Sequence, residues 1–231
     1  MANLYTFEGV SVVRNGAIIL EDVTASIRDR GITAIVGPSG SGKTTLLRLC
    51  NRLEIPATGA VRFRGADISA MDPLELRRRA GMVFQRPTLF AGTVRDNLLV
   101  ARPGANDVEL RHALERVELG PSFLDRTGDD LSGGEAQRAC VARTLIAQPE
   151  VMLFDEASSS LDAAPKARLE ETARHIGAEG MAVLWVTHDL AQAERLAQDL
   201  LVLLEGRVEF SGPASDVRDA NGKVREFLDA G

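Results

Sequence analysis

The sequence predicts an α/β protein on a mostly parallel sheet, with an N-terminal antiparallel β part and an inserted helical part. Three observations carry this. Short apolar runs, broken only by Thr33, recur at 32–36, 151–154 and 182–186, each followed by polar residues and a helical pattern. That alternation puts helices on the faces of buried parallel strands. Apolar stretches at 10–13 and 17–20 flank Asn15-Gly16, the dipeptide of a type I′ hairpin. Residues 86–147 are rich in helical spacing and in arginine.

The chain reads as one domain, 1–231, in four parts. Segments 1–30 and 57–70 make the antiparallel β part. Segments 31–85 and 148–215 make the sheet core. Its first strand, 32–36, lies between Gly31 and Gly37, and a helix is expected from Gly42 with Leu46, Leu47, Cys50 and Leu53 on one face. Asp72-Pro73-Leu74-Glu75 has the form of a helix start, with an N-cap, proline at N1 and glutamate at N3. Segment 86–147 is the helical part. Residues 200–204 and 207–210 form a closing hairpin about Glu205-Gly206, and 216–231 a C-terminal helix.

Composition narrows the function. A chain of 231 residues with 45% apolar and 26% charged residues buries a full core. Its net charge of −6 supplies no basic stripe for nucleic acid or an anionic bilayer. The longest apolar runs, such as 200–204, are far too short to span a membrane. The first ten residues lack a basic stretch followed by an apolar one, so no signal peptide is expected. Cys50 and Cys140 fall inside helical patterns and read as small buried hydrophobes rather than a disulfide. A cytoplasmic chain is expected, with any membrane role reached through a partner.

Three motifs carry chemistry. Gly37-Pro38-Ser39-Gly40-Ser41-Gly42-Lys43-Thr44 fits the phosphate-loop pattern, with an apolar strand before it and a helix after it. Its glycines let successive N–H groups face phosphate oxygens, and the helix N-terminus adds its positive end. Lys43 is expected to reach the β- and γ-phosphates, Thr44 to ligate Mg²⁺ and Thr45 to complete the nucleotide contacts. The chain has only two other lysines, Lys166 and Lys223. Second, Val151-Met152-Leu153-Phe154 ends in Asp155-Glu156, so a buried strand delivers two carboxylates to its C-terminal edge. Asp155 is expected to hold Mg²⁺ and Glu156 to polarise the attacking water. Third, Ser132-Gly133-Gly134-Glu135 has the form of a capping box. Two glycines in the first turn leave N–H groups and a dipole end open to an anion, a γ-phosphate.

The last motif sits in Leu131-Ser132-Gly133-Gly134-Glu135-Ala136-Gln137-Arg138, which resembles the signature of ATP-binding-cassette (ABC) ATPases. Residues 37–44 are similar to that family's Walker A and 151–156 to its Walker B. Gln85 matches its Q-loop, Ser160-Leu161-Asp162 its D-loop and His188 its switch histidine. The six motifs stand in the family's order across nearly the whole chain.

The resemblance implies a P-loop NTPase (RecA-like) fold and an ATP- and Mg²⁺-dependent hydrolase. Two subunits, the second identical in the simplest case, would sandwich ATP head to tail, each nucleotide under the other's Ser132, Gly133 and Gly134. Glu156, His188 and Gln85 would be catalytic, with Gln85 also reaching the metal beside Thr44 and Asp155. The implied partners are a multi-spanning permease and, optionally, a solute-binding protein, with no nucleic acid. The chain would lie on the inner face of the cell membrane and drive transport of a small solute. Residues 47–53 and 74–85 are similar to phosphate-import cassettes, 87–97 and 181–189 to metal or iron export cassettes. The alternative is a soluble, non-transport ABC ATPase such as an iron–sulfur cluster assembly cassette. One position departs from the pattern: where the family stacks an aromatic on adenine, this chain has Arg14. A guanidinium also stacks on planar rings, or Arg14 is a solvated residue beside a turn. Both readings stand, and with them the choice between ATP and GTP. For Leu89 and Phe90, docking on the permease and ordinary core packing likewise both stand.

Overall fold

The computed structural model describes residues 3–220 and 222–230. Met1, Ala2, Asn221 and Gly231, which belong to the expected 1–30 and 216–231 segments, lie outside the described residues.

Strands β1 (Asn3–Arg14) and β2 (Ala17–Arg28) form the first hairpin. Asn15 and Gly16 turn it with φ of 53° and 80°, the positive pair of a type I′ turn. The first strand starts well before residue 10, because Leu4, Tyr5 and Phe7 are also buried. Next come β3 (Gly31–Val36), α1 (Lys43–Leu49), β4 (Thr58–Phe63), β5 (Ala66–Asp67), α2 (Pro73–Arg79) and β6 (Ala80–Val83). Three helices follow: α3 (Val94–Ala101), α4 (Asp107–Glu115) and α5 (Gly133–Ile146). The chain then alternates through β7 (Val151–Asp155), α6 (Ala163–Ala178), β8 (Ala182–Thr187) and α7 (Leu190–Leu196). It closes with β9 (Asp199–Leu204), β10 (Arg207–Pro213) and α8 (Lys223–Ala230).

Two sheets result. The antiparallel sheet has the order β2-β1-β4-β5, and the larger sheet β10-β9-β3-β8-β7-β6. In the larger sheet β9, β3, β8, β7 and β6 run parallel, and β10 returns antiparallel along β9. Putting β3, β8 and β7 side by side is what builds the site. Val36 pairs with Thr187 and Asp155 with Val186, so three strands end at one level. Both faces of the sheet are covered. Phe154 and Trp185 pack with Leu145 and Ile176 on one face, while Leu153 and Leu184 pack with Leu46, Leu47 and Phe7 on the other. Continuous burial on both sides explains why these strands read as nearly unbroken apolar runs.

Three helical expectations meet the structure differently. Asp72 caps α2 through Oδ1, which accepts from the N–H groups of Leu74 (2.9 Å) and Glu75 (2.8 Å). Helix α1 stops at Leu49, and Arg52 turns left-handed with φ 55°. Leu53 therefore leaves the buried face and is 43% exposed, which corrects its assignment to that face. Residues 214–219 form 3₁₀ turns, and the final α-helix starts only at Lys223, after Gly222 at φ 63°.

Candidate functional site

Residues 37–42 leave the end of β3 and curl into α1. A Cβ on Gly37 would lie 2.0 Å from the Leu203 carbonyl oxygen and 2.8 Å from Ser41 Oγ, so no larger residue fits. Lys43 is 4% exposed. Its Nζ donates to the carbonyls of Gly37 (2.8 Å) and Pro38 (2.9 Å) and lies 3.9 Å from Glu156 Oε1. Burial lowers the affinity of this amine for its proton, while Glu156 and Asp155 pull the other way. Ser41 Oγ is buried without a hydrogen-bond partner.

The carboxylates arrive from the end of β7. Thr44 Oγ1 donates to Asp155 Oδ1 at 2.6 Å, and Arg48 lies 4.0 Å from Asp155 Oδ2. Burial raises the Asp155 pKa; the Thr44 hydrogen bond and Arg48 oppose it. Glu156 sits at φ 47°, a costly conformation for a residue with a side chain. Its N–H donates to Val186 O on β8 (3.2 Å), which holds the turn. Glu156 Oε2 then lies 3.5 Å from Nδ1 of His188, one residue beyond β8. A cavity of about 330 Å³ opens on Ser39, Gly40, Gly42, Lys43, Thr44, Thr45, Glu156 and Ile19.

Lys43, Thr44, Asp155, Glu156 and His188 thus converge. Gln85 does not join them: its amide Nε2 donates to Ser159 Oγ (3.1 Å), and the residue is exposed. Arg14 is half-exposed and ion-paired with Glu54, and it does not line the cavity. The apolar residue that does line it is Ile19, which sequence reasoning missed. Nothing local marks Ile19; only the passage of β2 beside the loop brings it there. Arg48 was also missed, although its place one turn beyond Thr44 on α1 is a usable signal.

The Ser132 group stands apart from this cavity. Ser132 caps α5, and the box is reciprocal: Glu135 N–H donates to Ser132 Oγ (3.4 Å), and Glu135 Oε2 accepts from Ser132 N–H (2.8 Å). The two glycines differ. A Cβ on Gly134 would meet Pro165 Cβ at 2.7 Å, whereas one on Gly133 meets nothing within 4 Å. Gly134 seats α5 on the start of α6, and Gly133 is exposed with Ser132. Gln137, three residues on, donates from Nε2 to Phe84 O (2.9 Å) and holds the segment that carries Gln85. In that segment Leu89 packs on the core, while Phe90 is 53% exposed with the Arg143 guanidinium over its ring. No helix among the described residues is long and apolar enough to cross a membrane.

The chain as a whole is similar to known proteins. The family model described as "ABC transporter" matches residues 20–159. The chain is 38% identical over 220 residues to Protein STAR1 of Oryza sativa subsp. japonica, covering 93% of itself but only 64% of that protein. It is 36% identical over 248 residues to the phosphate import ATP-binding protein PstB of Thermotoga maritima, covering 99% of itself and 98% of the relative. Among solved structures, cbiO1 from Clostridium perfringens, part of the ABC transporter complex cbiONQ, superposes with a TM-score of 0.86 at 25% identity. That match covers 95% of this chain and 92% of cbiO1. With its phosphate loop, paired carboxylates and capped LSGGEAQR helix on a P-loop NTPase fold, the chain belongs to the ATP-binding, ATP-hydrolysing ABC transporter family.

Proposed function

We propose that this chain drives a small solute, a phosphate-like anion or a metal ion, through a separate membrane-spanning subunit, working as a head-to-tail pair at the inner face of the cell membrane. The coupling half of this reading rests on one observation. A groove of about 380 Å³ opens along Leu74, Phe90, Val100 and Arg143, between the sheet core and the helical part. Leu74, Phe90 and Val100 are 64%, 53% and 60% exposed. Exposed apolar residues gathered in one groove mark an interaction site. The groove adjoins the 84–90 segment that carries Gln85, so a permease seated there would sense the state of the ATP site. Relatives named for phosphate import favour the anion, and a solute-binding protein would then deliver it.

In the ATP site, Lys43 and the 37–42 backbone hold the phosphates. Mg²⁺ fits the donor set: Thr44 Oγ1 and Asp155 Oδ1 are hard oxygens at one point of the cavity edge, and Gln85 would add a third only by leaving Ser159. When bound, Mg²⁺ neutralises charge building on the β- and γ-phosphates. Glu156 orients the attacking water and accepts its proton, and His188 steadies the γ-phosphate. The buried Lys43 ammonium at the cavity and the unpartnered Ser41 hydroxyl both suit a phosphate chain. Ser132, Gly133 and Gly134 of a second copy close over the nucleotide.

The test is purification of the native protein from membranes. Co-purification of a multi-spanning protein that is lost on Phe90→Glu supports the reading. A native protein free of membranes and of any such partner sinks it. Uptake of phosphate against divalent metal in vesicles holding the complex then separates the two solutes.

A further inference from the structure

Behind the site lies a set of buried polar groups that the reading above does not use. Gln192 on α7 is 1% exposed. Its Nε2 donates to Ser158 Oγ (3.0 Å) and to Glu170 Oε1 on α6 (2.8 Å), and its Oε1 accepts from Trp185 Nε1 on β8 (3.3 Å). Glu170 is itself 4% exposed. Arg195 Nη2 donates to both its carboxylate oxygens (3.0 and 2.9 Å), and Arg174 lies 3.9 Å away. Ser158 is 4% exposed, so every arm of Gln192 ends inside the protein.

Such a group is expensive to build. Burying a carboxylate costs several kcal/mol before its partners offset it, and apolar packing does as well or better for stability alone. What the polar arrangement gives is a fixed geometry. The positions it fixes are telling. Ser158 is two residues beyond Glu156, and Gln192 four beyond His188. A second strap runs parallel to the first: Lys166 Nζ, near the start of α6, donates to Asp189 Oδ2 (2.9 Å), while Asp189 Oδ1 accepts from Gln192 N–H (2.9 Å).

We infer that Gln192 is a positioning residue for ATP hydrolysis: it clamps the segment behind Glu156 to the helix behind His188, so that both face the reacting phosphate in one geometry. The inference rests on the catalytic reading of Glu156 and His188. Gln192 touches neither group and acts only through Ser158 and the α7 N-terminus. Breaking the clamp lets the 3.5 Å approach of Glu156 to His188 loosen while the phosphate loop, on another strand, keeps its grip.

The experiment measures ATP dissociation constant and kcat on the whole chain, with its permease where hydrolysis needs it. Gln192→Leu keeps the volume and removes all three arms; kcat should fall about tenfold, since small displacements of reacting groups cost rate steeply, with ATP affinity within about twofold. Ser158→Ala removes one arm and covers the case in which the leucine variant does not fold; there kcat should fall about threefold. The double variant Gln192→Glu with Glu170→Gln exchanges amide and carboxylate, remakes the three arms of Gln192 with the Ser158 and residue-170 hydrogen bonds reversed, gives up one Arg195 bond, and should restore part of the rate lost in Gln192→Leu. A wild-type kcat in Ser158→Ala and in any folded Gln192→Leu overturns the inference, and so does a parallel loss of affinity and rate that the exchange does not rescue. Glu156→Gln separates the two readings. If that variant still turns over, the assignment of Glu156 fails and the clamp with it. If it is dead while the clamp variants run at the wild-type rate, only the clamp fails.

Discussion

The phosphate loop and the Ser132 helix contribute to one reaction in this reading, yet they use their own chain in opposite ways. Around Lys43 the charged groups and Thr44 are engaged from several elements. Lys43 and Asp155 are each 4% exposed, Thr44 bonds Asp155, and the Glu156 turn is held from β8. Around Ser132 the only side-chain partner among the described residues is Glu135 on the same helix, and Ser132 and Gly133 are exposed. One half of the site is preorganised within the chain; the other is capped and presented. A helix N-terminus left open in this way is a surface for an anion held elsewhere.

The sharpest way to break that contrast is Glu156→Gln. Loss of a positioned general base costs roughly 10²–10⁴-fold in rate, so kcat should collapse while ATP binding, measured by calorimetry, stays close to wild type. Equal loss of binding would mean that Glu156 belongs to the phosphate grip instead. The two signature glycines divide the presented half further. Gly134→Ala drives a methyl into Pro165 and should cost about 1–3 kcal/mol of stability, visible as a lower Tm. Gly133→Ala meets open space and should leave stability within about 0.5 kcal/mol while slowing hydrolysis. Equal Tm losses in the two variants would erase the distinction.

The base end of the cavity tests the preorganised half more gently. Ile19→Ala should weaken ATP binding about fivefold, or about 1 kcal/mol, as expected when a partly buried side chain loses the contact equivalent of roughly one carbon. Arg14→Ala should leave the dissociation constant within about twofold, because Arg14 is spent on Glu54. The reverse order would put Arg14 on the base.

The smallest effect concerns the cap itself. Hydrogen bonds from Ser132 hold the Glu135 pKa below its ordinary value. A carboxylate with a depressed folded pKa stabilises the native state above its unfolded pKa and loses that contribution as pH falls through the folded one. Glu135→Ala should therefore cost about 0.5–1 kcal/mol at neutral pH and progressively less at acidic pH, as the wild-type carboxylate is protonated through its lowered folded value. Urea titrations at neutral and acidic pH check it.

The sequence exposes the contiguous motifs of both halves far better than the contacts made across the fold. Glycines, Lys43, Thr44 and the Asp155-Glu156 pair are contiguous in the chain, and their neighbours are strands that bury on both faces and so read as nearly unbroken apolar runs. Contacts made across the fold leave no such trace. Ile19 enters the cavity because β2 passes the loop, and Gln192 reaches Ser158 across 34 positions of sequence. Gln85 stands at the expected place in the chain, but its amide is on Ser159, a choice between neighbouring polar groups that spacing does not encode. The α1 overrun to Leu53 has a local cause, because a left-handed Arg52 carries none of the usual stop residues. Both hairpin turns were legible, since Asn15-Gly16 and Glu205-Gly206 lie between apolar stretches.

The claim that joins the two regions is that Ser132 and Gly133 serve a nucleotide held by another chain. Light scattering of Glu156→Gln at saturating Mg-ATP tests it most directly. The mass should double on adding Mg-ATP and return to that of one chain when Ser132→Arg is added to the same variant. A mass that stays at one chain with Mg-ATP, or a dimer indifferent to Ser132→Arg, would contradict it.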